Sequence, residues 1–282
     1  MRFILSKLGL GALRNDPVVR AISWQTIISR VGNGLFMTIE VIYITLIVGL
    51  SPLEVSIALG LGGLVSLLVS VPAGLVADRL GAKRVLLWAF VIEGLALLPL
   101  MFVRDFWSLL VVNIFVWIAG TVGHNATSTV IATLGTGEDR VSIRAAQRAM
   151  ANLGIAIGTV FAGVALAINT ELAYQITIGL DFLMFMWAAT FIQRLPHVKP
   201  TVKKGDPISL VAFKDWRFLA ATVLNGVVSL HFLIQGIALP LWILHYTEVP
   251  KWWVSVLFVI NTVIVTFLQI RMSKGTGVIM VS

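Results

Sequence analysis

Gly74-Leu-Val-Ala-Asp78-Arg79-Leu-Gly81-Ala-Lys83-Arg84 lies between two long apolar stretches, and its reading decides the fold. An acid, three bases and a turn glycine cannot rest in hydrocarbon, so the segment belongs at a membrane surface and joins two antiparallel spans there. Composition agrees. The chain is 58% hydrophobic and 12% charged over 282 residues, against roughly 45–50% and about 25% in soluble domains, and that excess of apolar surface needs lipid to cover it. The expected fold class is an all-α polytopic membrane protein.

The apolar stretches predict about eight spans. The first six run over about 21–48, 54–76, 85–103, 106–127, 146–168 and 173–192. The seventh and eighth run over about 217–244 and 252–270. Each is of the order of the ~20 residues that cross a bilayer core. Residues 1–19 carry Phe3, Ile4, Leu5, Leu8 and Leu13 against Arg2, Lys7 and Arg14, the pattern of an amphipathic helix on the membrane surface. A polar loop is expected around Gly135 to Arg144. The stretch 193–216, with Pro196, Pro200, Pro207 and a run of lysines, reads as a linker. Three regions follow: a six-helix bundle over 1–192, the linker over 193–216, and a partial second bundle of two helices over 217–282.

The net charge of +8 is spread over connections rather than gathered on a soluble face, so it reads as topology and not as a nucleic-acid footprint. With the connections alternating sides, every base but Arg104, Lys251 and Arg30 falls on one side. That side is the cytoplasm by the positive-inside rule, with both chain termini and the linker on it. The expected location is the cell inner membrane, crossed many times. No cysteine is present, which excludes disulfides and thiolate metal sites. The four scattered histidines make no metal site. No G-x-x-x-x-G-K-[ST] occurs, so nothing cradles ATP, and no cofactor is expected. No nucleophile, base and orienting group converge at a recognisable spacing, which excludes an enzyme reading.

The spacing G-x-x-x-D-R-x-G-x-K-R after a second span resembles the signature loop between the second and third helices of major facilitator superfamily transporters. The resemblance extends to six spans, a basic linker and the start of a second set, as in that superfamily's two six-helix halves. It implies that Asp78 engages a neighbouring helix end, that Arg79 and Arg84 are its basic partners beside Lys83, and that Gly74 and Gly81 permit close packing. In the fifth span Gly154, Gly158 and Gly163 are small enough for helices to approach closely, and they partly resemble the glycine-rich signature of drug and proton antiporters, without its proline.

Charges inside spans are costly and are normally turned inward. Arg30, Asn33 and Glu40 on the first span are therefore candidates for contact with substrate or proton. Asn33, Met37 and Glu40 fall at i, i+4 and i+7, hence on one face. The resemblance places the first, fourth and seventh helices at the central cavity, which favours that face and adds Asn225, His231 and Gln235. Glu93 and Asp181 lie on spans that the resemblance puts outside the cavity, and buried hydrogen bonding is expected of them. Asp181, in mid-span, remains a proton candidate. His124 and His231 are more often hydrogen-bonded structure than relays. Pro240 and Gly236 predict a kink.

The function this predicts is secondary active transport by alternating access, as proton-coupled efflux of small amphipathic compounds. The partners would be the lipid bilayer, a small-molecule substrate and a proton or other coupling ion. Uptake of a sugar or organic anion gripped by Arg30 is one alternative. The other follows from counting eight spans against the superfamily's twelve: a chain that inserts but needs a partner chain to supply the missing helices.

Overall fold

The computed structural model describes residues 17–134, 137–196, 200, 216–229 and 231–273. The amphipathic segment before Pro17, Lys203 and the rest of the linker from 201 to 215, and the residues from Lys274 onward lie outside them.

The described chain is helical, with no strand. Helix α1 spans Pro17–Tyr43 and runs into a π-helical turn at Ile44–Val48, which Gly49 ends at φ 81°. Helix α2 spans Pro52–Leu80. Its start is set by Ser51 and Glu54: the Ser51 hydroxyl accepts from the Glu54 backbone N–H, and the Glu54 carboxylate accepts from the Ser51 backbone, with Pro52 preset for the first turn. Helix α3 spans Ala82–Leu97 and tightens into a 3-10 turn at Leu98–Phe102, α4 spans Phe106–Leu134, α5 Gly137–Ile168 and α6 Glu171–Gln193. The remainder is α7 (Trp216–Ser229), α8 (His231–Leu233), a π turn at Ile234–Ala238, α9 (Leu239–Tyr246) and α10 (Trp253–Ser273).

Six of these helical stretches are long and apolar enough to cross a membrane: Pro17–Val48, Pro52–Leu80, Ala82–Phe102, Phe106–Thr133, Ala146–Ile168 and Glu171–Gln193. Two shorter apolar stretches follow, His231–Tyr246 and Trp253–Val265. Large apolar side chains such as Leu67, Leu68, Phe102 and Trp107 are exposed along the bundle. That is costly in water and costs nothing against acyl chains. The molecule is a multi-pass membrane protein.

Two expectations change. The charged segment from Gly74 to Arg84 is not a loop. Gly74 to Leu80 complete α2, Ala82 opens α3, and Gly81 alone makes the turn at φ 90°. A left-side φ of that size is open to glycine without a Cβ penalty, so one residue reverses the chain. Likewise the polar stretch expected as a loop near Gly135 is helical from Gly137, and residues 135 and 136 lie outside the described ones. The expected kink before Pro240 takes the form of the π turn at Ile234–Ala238.

Helix α1 packs chiefly on α5 and α6, while α2 packs on α4, and α3 bridges α4 and α6. At one end of the bundle Arg104 and Glu171 pair at 3.1 Å, tying the α3–α4 turn to the α5–α6 turn. Nearby, Tyr43 donates to the Leu100 carbonyl at 3.2 Å and Tyr174 donates to Asn169 at 2.7 Å. Asp105 caps α4, and hydrogen bonds from Ser108 hold its carboxyl below the usual range. Helix α10 docks on α5, with the Ser255 hydroxyl donating to the Thr159 carbonyl at 2.6 Å.

Candidate functional site

Helices approach most closely where side chains vanish. A Cβ at Gly154 would lie 2.5 Å from the Ile27 carbonyl oxygen, and one at Gly158 would lie 2.8 Å from Leu35 N. Gly34 on α1 is blocked in the same way by the Ile155 backbone. Gly163 makes room for Ser255 of α10, whose Oγ would stand 2.7 Å from an added Cβ. At Gly154 and Gly158, α1 and α5 touch backbone to backbone, and Thr38, which donates to Gly34 O at 2.7 Å within α1, meets the Thr159 hydroxyl of α5 at 3.2 Å.

Helices α2 and α4 meet differently, through three polar rungs. Asn113 Nδ2 donates to Ala58 O at 2.7 Å, Thr121 and Ser66 hydroxyls meet at 2.8 Å, and Asn125 Nδ2 donates to Ser70 O at 2.7 Å. Between the first two rungs Trp117 covers Gly62. At the foot Thr129 reaches Asp78 Oδ1 at 3.5 Å.

Between the α1–α5 pair and the α2–α4 pair lies a cavity of about 480 Å³. One wall is the α1 face holding Arg30, Asn33, Met37 and Glu40. The opposite wall is the rung side of α4 with Ser66 and Ser70 of α2. Gln147 and Ile155 of α5 line it as well, and Phe90, Glu93 and Phe185 from α3 and α6 close the back. Arg30 and Glu93 sense each other's charge.

Several expected residues sit elsewhere. Glu93, expected outside, lines the cavity, because Gly120 on α4 leaves its carboxylate room: an added Cβ there would lie 3.2 Å from Glu93 Oε1. His124 also lines it. Asp181 does not. It is buried behind α1, against the notch that Gly32 provides, and its Oδ1 has no hydrogen-bond partner among the described residues. His231 is exposed, with Nδ1 2.6 Å from the Val228 carbonyl, and Gln235 accepts from Asn261 at 3.3 Å. Neither lines the cavity. The side chain of Asn225 lies outside the described residues.

The charged hinge is held by Lys83, which donates to the Gln193 carbonyl at 2.9 Å and to the Leu195 carbonyl, and so clasps the end of α6. Asp78 touches the flank of α4 instead of a helix end, and no ion pair within 4 Å links it to Arg84 among the described residues. Arg84 borders an apolar hollow with Trp88 and Ile92. A Cβ at Gly74 would meet nothing within 4 Å, so close packing is not what this glycine provides here. Gly81 takes a φ of 90°, which favours glycine. The residues that sequence reasoning missed are Asn113, Thr121 and Asn125. Their spacing of eight and four on α4 was a readable signal, one face of a helix.

The family model described as Major Facilitator Superfamily matches residues 22–277. No curated protein sequence matches the chain. Among solved structures, a mutant form of the nucleoside transporter NupG aligns at a TM-score of 0.69 and 15% identity, over 87% of this chain and 64% of that one. A POT family transporter in complex with 5-aminolevulinic acid aligns at 0.56 and 15% identity, over 77% of this chain and 46% of that one. At that identity the likeness is one of fold. The chain spans less than two thirds of the length of either structure.

Proposed function

The chain belongs to the major facilitator superfamily, and we propose on that premise that it is a secondary active transporter. In this reading it moves small amphipathic compounds outward in exchange for protons, by alternating access across an inner membrane, with its termini in the cytoplasm. The observation that carries the reading is the cavity: Arg30, Glu40 and Glu93 stand in one hollow between membrane-length apolar helices. A charge at bilayer depth costs at least about 2.5–3.5 kcal/mol on insertion scales and is retained where it faces a solute or an ion.

Glu40 is the proposed proton carrier, because it shares the cavity face of α1 with Asn33. Asp181, behind that face, is the next candidate. Asp78, Arg79, Lys83 and Arg84 are proposed to gate the exchange at the hinge.

A fluorescent-dye efflux assay in intact cells, with and without a proton uncoupler, tests the reading. Expression of the chain should speed efflux, the uncoupler should abolish the gain, and Glu40→Gln should leave binding but remove the dependence on the gradient. Efflux that ignores the uncoupler would sink the proton coupling. A Glu40→Gln form that still expels dye against its gradient would move the role to Asp181.

Uptake of a sugar or organic anion is a second reading, favoured by Arg30 on the cavity wall. Accumulation of a labelled anion, lost in Arg30→Gln, would select it. Purified chain in liposomes separates both from a subunit role: solute movement only when a partner chain is added would assign it that role.

A further inference from the structure

Two helix ends meet at the basic end of the bundle with no acid between them. From Pro17 the first carboxylate on α1 is Glu40, and on α6, which ends at Gln193, the last is Asp181. Phe191 gathers an aromatic cluster there. Trp24 of α1 stacks on it at 6.2 Å between ring centres and 25° between planes, Trp187 meets it at 6.5 Å, and the Arg194 guanidinium carbon lies 4.8 Å from its ring centre. Arg20 stands one turn before Trp24 on the same face of α1, about 6 Å nearer the helix start. Lys83 brings a third positive charge, since it clasps the carbonyls on either side of Arg194.

The donors of this ledge are unengaged. Among the described residues no ion pair reaches Arg20 or Arg194, and no hydrogen bond is made by either guanidinium or by the indole N–H of Trp24 or Trp187. A guanidinium stacked by its face keeps its N–H edge for a partner in its plane, and that edge matches two oxygens of a phosphate. Trp24 and Trp187 are exposed, and none of these residues lines the cavity. Depth follows from α6. It is 23 residues long, close to the about 20 that cross a bilayer core, so Arg194 just past its end stands at headgroup level. Arg20 lies at the same level, because Trp24 one turn away is stacked on Phe191 one turn before Arg194. The indoles fall below, in the interfacial zone that favours Trp.

We propose that this ledge between α1 and α6 binds one anionic phospholipid of the adjoining leaflet, with its phosphate between Arg20 and Arg194 and its glycerol and upper acyl chains along Trp24 and Trp187. The site goes beyond the transport reading and does not depend on it. A guest that answers these donors must bring oxygen acceptors and negative charge, and one that lies on the indoles must also be an amphiphile. A phosphodiester without an amine fits, as in phosphatidylglycerol. A phosphatidylethanolamine headgroup would carry an ammonium to a place that holds three bases and no carboxylate among the described residues.

Any basic surface attracts anionic lipid, so the control is Arg144 and Arg148, exposed bases one turn apart on α5. The test is native mass spectrometry of the full chain, delipidated in detergent micelles and titrated with phosphatidylglycerol, phosphatidylethanolamine or soluble glycerophosphoglycerol. The first phosphatidylglycerol should bind at least about ten-fold tighter than phosphatidylethanolamine, the scale of two bases at a membrane surface. The Arg20→Gln/Arg194→Gln form should lose that preference, while Arg144→Gln/Arg148→Gln, which removes the same charge, should keep it to within about two-fold. Trp24→Leu should weaken both lipids and leave their ratio unchanged. Thermal stability is measured alongside, and if the Arg20→Gln/Arg194→Gln form does not fold, Arg20→Gln alone, away from the Lys83 clasp, takes its place. Equal binding of the two lipids, a preference kept in the folded Arg20 variant, or a preference lost equally in the Arg144→Gln/Arg148→Gln form overturns the proposal. Displacement of the lipid by an equal concentration of glycerophosphoglycerol would mark a site for free phosphate esters and overturn the lipid assignment.

Discussion

Gly158→Ala is the sharpest perturbation of the frame that holds the cavity. The added methyl would stand 2.8 Å from Leu35 N and 3.0 Å from Gly34 Cα and would run into the Val31 carbonyl. Carbon contacts settle at about 3.5–4.0 Å, so α1 must retreat by roughly 0.5–1 Å over the very turns that carry Arg30 and Asn33. All three obstacles are backbone, and no rotamer can absorb the clash. In lipid there is no hydrophobic force to draw the helices back together. The cost is expected at about 1–3 kcal/mol, the usual range for overpacking. Gly74→Ala is the control, because its methyl meets nothing within 4 Å and an alanine within α2 gains roughly 0.5–1 kcal/mol of helix propensity. Reversible unfolding of the purified chain in mixed micelles, followed by far-UV circular dichroism against SDS fraction, reads both. Gly158→Ala should unfold earlier than the parent and Gly74→Ala at the same point or later. A Gly158→Ala form as stable as the parent, or a Gly74→Ala form less stable than Gly158→Ala, would refute the packing account.

Three further outcomes follow from the hinge and the linker. Lys83→Met should lose its grip on the end of α6, at a cost of about 1 kcal/mol for a partly exposed charged donor near a helix C-terminus, and should speed proteolysis just after Gln193; an unchanged cleavage rate argues against the clasp. Asp78→Asn should reduce dye efflux while membrane insertion stays normal, since the span's hydrophobicity is unchanged; loss of insertion, or full efflux, counts against gating. A cysteine placed at Lys203, unique in a chain without cysteine, should react with an impermeant maleimide only after the cells are opened, and labelling in intact cells would reverse the topology.

Much was legible in the residues themselves. The apolar runs, the turn at Gly81 and the shared face of Asn33, Met37 and Glu40 are local, and helix formation reports local spacing directly. The family resemblance was legible for the same reason, since its motif is contiguous. What needed the tertiary structure was every relation between helices. Glu93 and Asp181 look alike in sequence, each a lone carboxylic acid within an apolar span. One reaches the cavity because Gly120 on α4 leaves it room, while the other is shut behind α1 by Gly32. Gly74 and Gly158 are likewise indistinguishable as letters. One faces open space and the other a neighbouring backbone, because a helix's own sequence sets which face a residue occupies, whereas only the packing of the other helices determines what that face meets.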